Sequence, residues 1–106
     1  MNRRDPGALL QRALELSRQI LGEAERGDAR GTASLSAERL QQLRAARVAS
    51  PSFDSGARAI LAEISALNDR AIGALEHQRR IKERQLDTVA TGRRALSAYG
   101  SVRPQR

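Results

Sequence analysis

The chain has 106 residues, a net charge of +7 and a 40% apolar content by an inclusive count. Eighteen of the apolar residues are alanine, and Leu, Ile, Val and Phe together number 22, about the one-fifth level near which chains stop folding unaided. Cysteine is absent, which excludes disulfides, thiolate metal sites and cysteine nucleophiles. One Tyr, one Phe and three Val argue against a β-sandwich or barrel, while abundant Ala, Leu, Arg, Gln and Glu point to a single all-α domain with a thin core.

Asp5-Pro6 reads as a helix start, because Asp caps and Pro is tolerated at the first helical position. Leu9, Leu10, Ala13, Leu14, Leu16, Ile20, Leu21 and Ala24 then fall on one broad face, and Gly27 ends the element, so helix 1 is predicted at 6–26. After the turn at Asp28, a weaker pattern of Leu35, Leu40 and Leu43 predicts helix 2 at about 33–48, with Ala29 as the earliest start. Pro51 breaks it, since proline disfavours a helical residue before it.

From Ser55 the pattern is helical again. Ile60, Leu61, Ile64, Leu67, Ile72 and Leu75 make a stripe at helical spacing, residues 76–85 are almost all polar, and Leu86, Val89, Ala90, Leu96 and Tyr99 resume the stripe sparsely. A helix over 55–91 would be roughly 55 Å long and would outreach helix 1. Thr91-Gly92 is predicted as a hinge before a short helix at 93–99, with a frayed tail over 100–106. The architecture expected is an antiparallel three- to four-helix hairpin or bundle with one long helix.

Enzyme chemistry finds little support. His77 is the single histidine, the serines sit where helices begin or loops turn, and neither GxGxxG nor GxxxxGK[ST] occurs. The expectation is a non-enzyme with no cofactor and no metal. No apolar run has the length of a membrane span, and no apolar signal segment follows Met1-Asn2-Arg3-Arg4, so the expectation is a cytoplasmic chain without membrane insertion.

Charge is concentrated at one end. Residues 77–106 carry eight basic side chains against two acidic ones, a balance of +6, whereas the rest of the chain is at +1. Arg79-Arg80-Ile81-Lys82-Glu83-Arg84 is the densest run. Arg80 with Glu76 and Arg79 with Glu83 stand at pairing distance along a helix, and no aromatic interleaves the arginines to stack bases. A solvated or coiled-coil-like face outweighs nucleic-acid binding there, and a surface that meets an acidic protein is the third reading.

The segment Gly92-Arg93-Arg94-Ala95-Leu96-Ser97-Ala98-Tyr99-Gly100, closing a long helix, resembles the end of FliT-type flagellar export chaperones. The layout is similar over nearly the whole chain: a first helix ending Glu25-Arg26-Gly27-Asp28, a helix with Glu38-Arg39-Leu40-Gln41-Gln42-Leu43, a proline break and a long helix. The chain departs from that pattern at Ala29, where many relatives carry tryptophan, and FlgN-type chaperones share much of the architecture and ending. The resemblance implies a cytoplasmic chaperone that binds a filament-cap protein, prevents its early assembly and delivers it to export-apparatus components. It places the client groove on Ile60, Ile64, Leu67, Ile72 and Leu75, and a switchable C-terminal segment, able to fold over that groove, on Arg93, Arg94, Leu96 and Tyr99. The plain alternatives are ordinary core against helices 1 and 2 for most of the stripe and a helix-end anchor for Tyr99. The alternatives are a basic nucleic-acid-binding regulator and a coiled-coil subunit that forms a homo-oligomer.

Overall fold

The computed structural model describes residues 5–102, with side chains through Ala98. Three helices follow in chain order: α1 Pro6–Glu25, α2 Ala29–Ala49 and α3 Ser55–Val102. The short turn between α1 and α2 and the Pro51 break reverse the chain twice, so α2 runs antiparallel to both neighbours and α1 runs parallel to α3. The protein is all-α, a helical bundle with one long helix.

Each helix begins on an aspartate whose carboxylate accepts a first-turn N–H, the ordinary solution for the orphan donors of a helix start. Asp5 accepts from the Gly7 N–H at 3.2 Å, Asp28 from Gly31 at 2.8 Å and Asp54 from Ala57 at 2.8 Å. Helix 2 therefore starts at Ala29, the earliest start the sequence allowed and four residues ahead of the apolar pattern. Asp28 supplies the cap, and Gly31 at the third helical position does not stop the helix. The hydrogen bond from Gly31 is the main reason that the Asp28 carboxyl sits below its ordinary pKa, with Glu23 adding to the effect.

α1 is the centre of the bundle. It packs along its length against both α2 and α3, which meet each other far less. Eight of its 20 residues are buried, whereas α2 buries only Thr32 and Ala46. Two clusters form the core. Ile20, Leu21, Ala24 and Ala71 make one, with Leu35, Leu67, Ala74 and Leu75 packed against it. Ala13, Leu14 and Ile64 make the other, with Leu43, Ile60, Leu61 and Leu67 around it.

The turn after α1 is closed by Gly27, whose φ of 75° lies in the left-handed region that suits glycine. The Gly27 N–H donates to the Ala24 carbonyl and the Asp28 N–H to the Glu23 carbonyl, a double bond pattern that satisfies the end of α1. α3 completes this end from the side. Gln78 donates to the Glu25 carbonyl at 2.8 Å and Lys82 to the Gly27 carbonyl at 3.4 Å. Two members of the polar stretch at 76–85 thus face the negative end of the α1 dipole, where donors and a cation are favoured.

α3 does not stop there. It continues as one helix through Thr91 and Gly92 to Val102, so the predicted hinge and the separate helix at 93–99 are absent. A lone glycine costs a helix interior about 1 kcal/mol relative to alanine, too little to break a helix already nucleated and flanked by Ala, Arg and Leu. The tail predicted over 100–106 is placed too early, because Gly100, Ser101 and Val102 are still helical, and 103–106 lie outside the described residues. Residues 83–102 therefore extend roughly 30 Å past the end of α1 at 1.5 Å per residue. The molecule measures 79 × 21 × 17 Å, and its radius of gyration is 22.4 Å. A compact chain of this length would have about 13 Å.

Candidate functional site

The stripe assigned to a client groove is largely core. Ile64 is buried against Ala13 and Leu14, Ile60 and Leu67 pack beside it, and Leu75 covers the Ile20–Ala71 cluster. Only Ile72, 47% exposed, points away from the core. Four of the five residues are thus held against α1 and the α1–α2 contact rather than open to a client. The apolar spacing is the same for a core stripe and a binding stripe, so periodicity alone does not separate them.

A different groove is open, formed where α2 and α3 splay. Leu43, Arg44 and Arg47 of α2, Phe53 of the connection and Leu61 of α3 line a hollow of about 300 Å³. Sequence reasoning missed it, although a lone Phe in a proline-containing connection is a signal for a side chain that packs back onto helices. A larger hollow of about 460 Å³ separates the starts of α1 and α3, beside Leu10, Phe53 and Ile60. Its carboxylates, Asp5 and Asp54, already serve as helix caps. A third, about 320 Å³, lies beside Ala29 and is shared with Leu75, Gln78 and Lys82.

One polar group of the core also escaped the sequence reading. Ser17 of α1 is buried; its hydroxyl donates to the Ala13 carbonyl at 2.9 Å and accepts from Arg39 of α2 at 3.3 Å. The same guanidinium donates to the Asn68 side-chain oxygen of α3 at 2.9 Å. Arg39 joins all three helices at one level, and burial lowers its pKa from the usual arginine value. Exposed ion pairs add a looser tie: Arg12 to Glu15 and Glu38, and Arg18 to Glu63 at 3.6 Å.

The overhang of α3 is a different kind of surface. Leu86 is 68%, Val89 49% and Leu96 74% exposed, and Ile81 is half-buried. Ile81, Arg84, Gln85, Thr88 and Val89 border a shallow hollow of about 410 Å³. Arg79 pairs with Glu83 at 3.5 Å, whereas the expected Arg80–Glu76 pair does not form. Among the described residues, Arg80, Arg84 and Arg93 have no carboxylate within ion-pairing distance. Arg93, Arg94 and Leu96 of the predicted switch segment are exposed on the straight continuation of α3, and Arg94 donates to the Thr91 hydroxyl at 3.4 Å. They do not fold over the stripe. Tyr99, the fourth residue of that segment, has a side chain outside the described residues. His77 is exposed on α3, and among the described residues no three metal-ligating side chains come together.

The overhang thus presents apolar side chains on exposed helix, framed by guanidinium groups. Comparison with family models, curated proteins and solved structures returns no match. Among the described residues no helix is long and apolar enough to cross a membrane.

Proposed function

We propose that the chain is a non-enzymatic export chaperone of the FliT type, working in the cytoplasm, that binds a filament-cap protein, keeps it from assembling early and delivers it to the export apparatus. The observation that carries this reading is the α3 overhang, a length of helix with exposed Leu86, Val89 and Leu96 and, among the described residues, no other helix beside it. Large apolar groups in that position are covered when a partner helix lies along them. The Gly27-Asp28 turn and the Ala98-Tyr99-Gly100 ending add the resemblance to chaperones of this kind.

The reading changes in one respect from the sequence expectation. With α3 unbroken at Gly92, we read the C-terminal segment as a surface in its own right rather than as a cover over the Ile60–Leu75 stripe. Deleting residues after Gly92 then removes binding surface, and the truncated chain should hold its client more weakly than the full chain. The decisive experiment is retention of partners from a lysate of flagellated cells on the tagged full chain. Recovery of the filament-cap protein, and its co-elution with the purified chain, is the expected result. A chain that ignores the cap protein and instead binds DNA with steep salt dependence is a nucleic-acid regulator, and the chaperone reading fails.

A further inference from the structure

The core-facing side of α3 can be followed past the end of α1 by helical rotation, about 100° per residue. Ala71, Ala74 and Gln78 lie toward α1, and the same side next presents Ile81, Gln85, Val89, Gly92 and Leu96. Beyond Lys82 nothing of α1 remains to meet it. The face is flanked by cations: Arg84 falls on one edge, Lys82 and Arg93 on the other. The two carboxylates of this region, Glu83 and Asp87, fall on the opposite side of the helix, where Glu83 pairs with Arg79.

We propose that this face, with Ile81, Val89 and Leu96 between Arg84 on one edge and Lys82 and Arg93 on the other, docks an amphipathic helix with acidic flanks supplied by another protein. The occupant extends the bundle in line with α1, seating its apolar positions on Ile81, Val89 and Leu96 and its carboxylates on the two cationic edges. Charge selects among occupants. A second copy of the chain would bring its own Arg84, Lys82 and Arg93 against the same cations, a like-charge arrangement that opposes pairing. A nucleic acid would leave the apolar centre of the face unused, and no aromatic residue stands among the basic residues of 79–94 to stack bases. An acidic amphipathic helix answers both the centre and the edges.

For its biological role the surface rests on the client-holding function proposed above. Its test does not, because the probe is synthetic. Fluorescently labelled helical peptides of roughly 20 residues, long enough to span the overhang, carry Leu on the seam with either Glu or Lys on both flanks. They are titrated with the full chain by anisotropy. The Glu-flanked peptide should bind and weaken as salt rises, and the Lys-flanked peptide should bind at least about tenfold more weakly. Val89→Glu should cost the Glu-flanked peptide at least about tenfold. The double variant R84E/R93E should reverse the preference toward the Lys-flanked peptide. Equal binding of the two peptides overturns the proposal, as does wild-type affinity in Val89→Glu. Two further results assign the face elsewhere and overturn it too: a sedimentation mass of two chains that Val89→Glu returns to one, or duplex DNA binding tighter than the peptide. A failed search for a flagellar client leaves these outcomes untouched, so the two readings fail separately.

Discussion

α3 is one helix in two environments. Its first part, to Lys82, lies along α1 and contributes Ile64, Leu67, Ala71 and Leu75 to the core, while its last twenty described residues run on past the end of α1. Both parts keep helical geometry, and the contrast shows what each is held by. Within the bundle, burial of apolar area against α1 stabilises the helix. In the overhang the helix persists because its nucleus is already formed below, and each further residue adds a hydrogen bond at little cost in a stretch where Ala and Arg are the commonest residues. Most helical stability in proteins comes from packing of an apolar face, which the overhang does not have, so it is the part of the molecule most open to rearrangement or to a partner.

The widest separation between the two regions comes from apolar truncation. Ile20 is 2% exposed at the centre of one core cluster, and Ile20→Ala should destabilise the chain by about 2–5 kcal/mol through lost burial and the cavity left behind. Leu96, 74% exposed, has no such neighbours, and Leu96→Ala should change stability by no more than about 0.5 kcal/mol. Urea denaturation followed by circular dichroism checks both. Comparable losses at the two positions would mean that the overhang is packed against something in solution, and the contrast would break.

Arg39 sharpens the comparison from the polar side. Its guanidinium bonds Ser17 and Asn68 together, and Arg39→Ala leaves the Asn68 oxygen without that donor in a partly buried site. A loss of about 1–3 kcal/mol in the same denaturation assay is expected. Arg39→Lys should restore little, because one ammonium on a flexible stem does not reproduce the two-pronged contact. Arg84→Ala in the overhang removes a guanidinium with no ion pair among the described residues and should leave the midpoint in place.

The helices were legible in the sequence because capping and periodicity are local: Asp5-Pro6, the Leu/Ile stripe of α1 and the Pro51 break each act within a few residues. What was misread depended on what lay alongside. Residues 76–85 read as an interruption, yet Gln78 and Lys82 close the end of α1, a role set by a helix fifty residues away in sequence. The stripe from Ile60 to Leu75 could be core or client groove on its spacing, which does not record what covers a face, and most of it packs against the core. Nothing in its spacing singles out Arg39, and only the packing of three helices around Ser17 gives it a partner on each side. Chemistry read from spacing marks which residues share a face; tertiary packing decides whether that face is open.

Glycine provides the finest discrimination, because the same substitution should act with opposite sign in the two regions. At Gly27 the backbone has a φ of 75°, and a Cβ there would meet the Gln78 side chain at 3.2 Å. Gly27→Ala should therefore cost about 1–2 kcal/mol for the left-handed conformation and disturb the contact that joins the turn to α3. At Gly92 a Cβ would meet nothing within 4 Å, and the residue lies inside a continuous helix. Gly92→Ala should strengthen the local helix by about 0.5–1 kcal/mol. That gain should register as slower amide exchange around residues 88–96 and leave the urea midpoint of the bundle unchanged, since the overhang opens without the core. A helix that broke at Gly92 in solution would instead respond with a large rise in total helicity, as alanine joined two segments that had been separate. Unchanged helicity with slower local exchange is the signature of one unbroken α3, and it ties the exposed face of Val89 and Leu96 rigidly to the bundle that carries it.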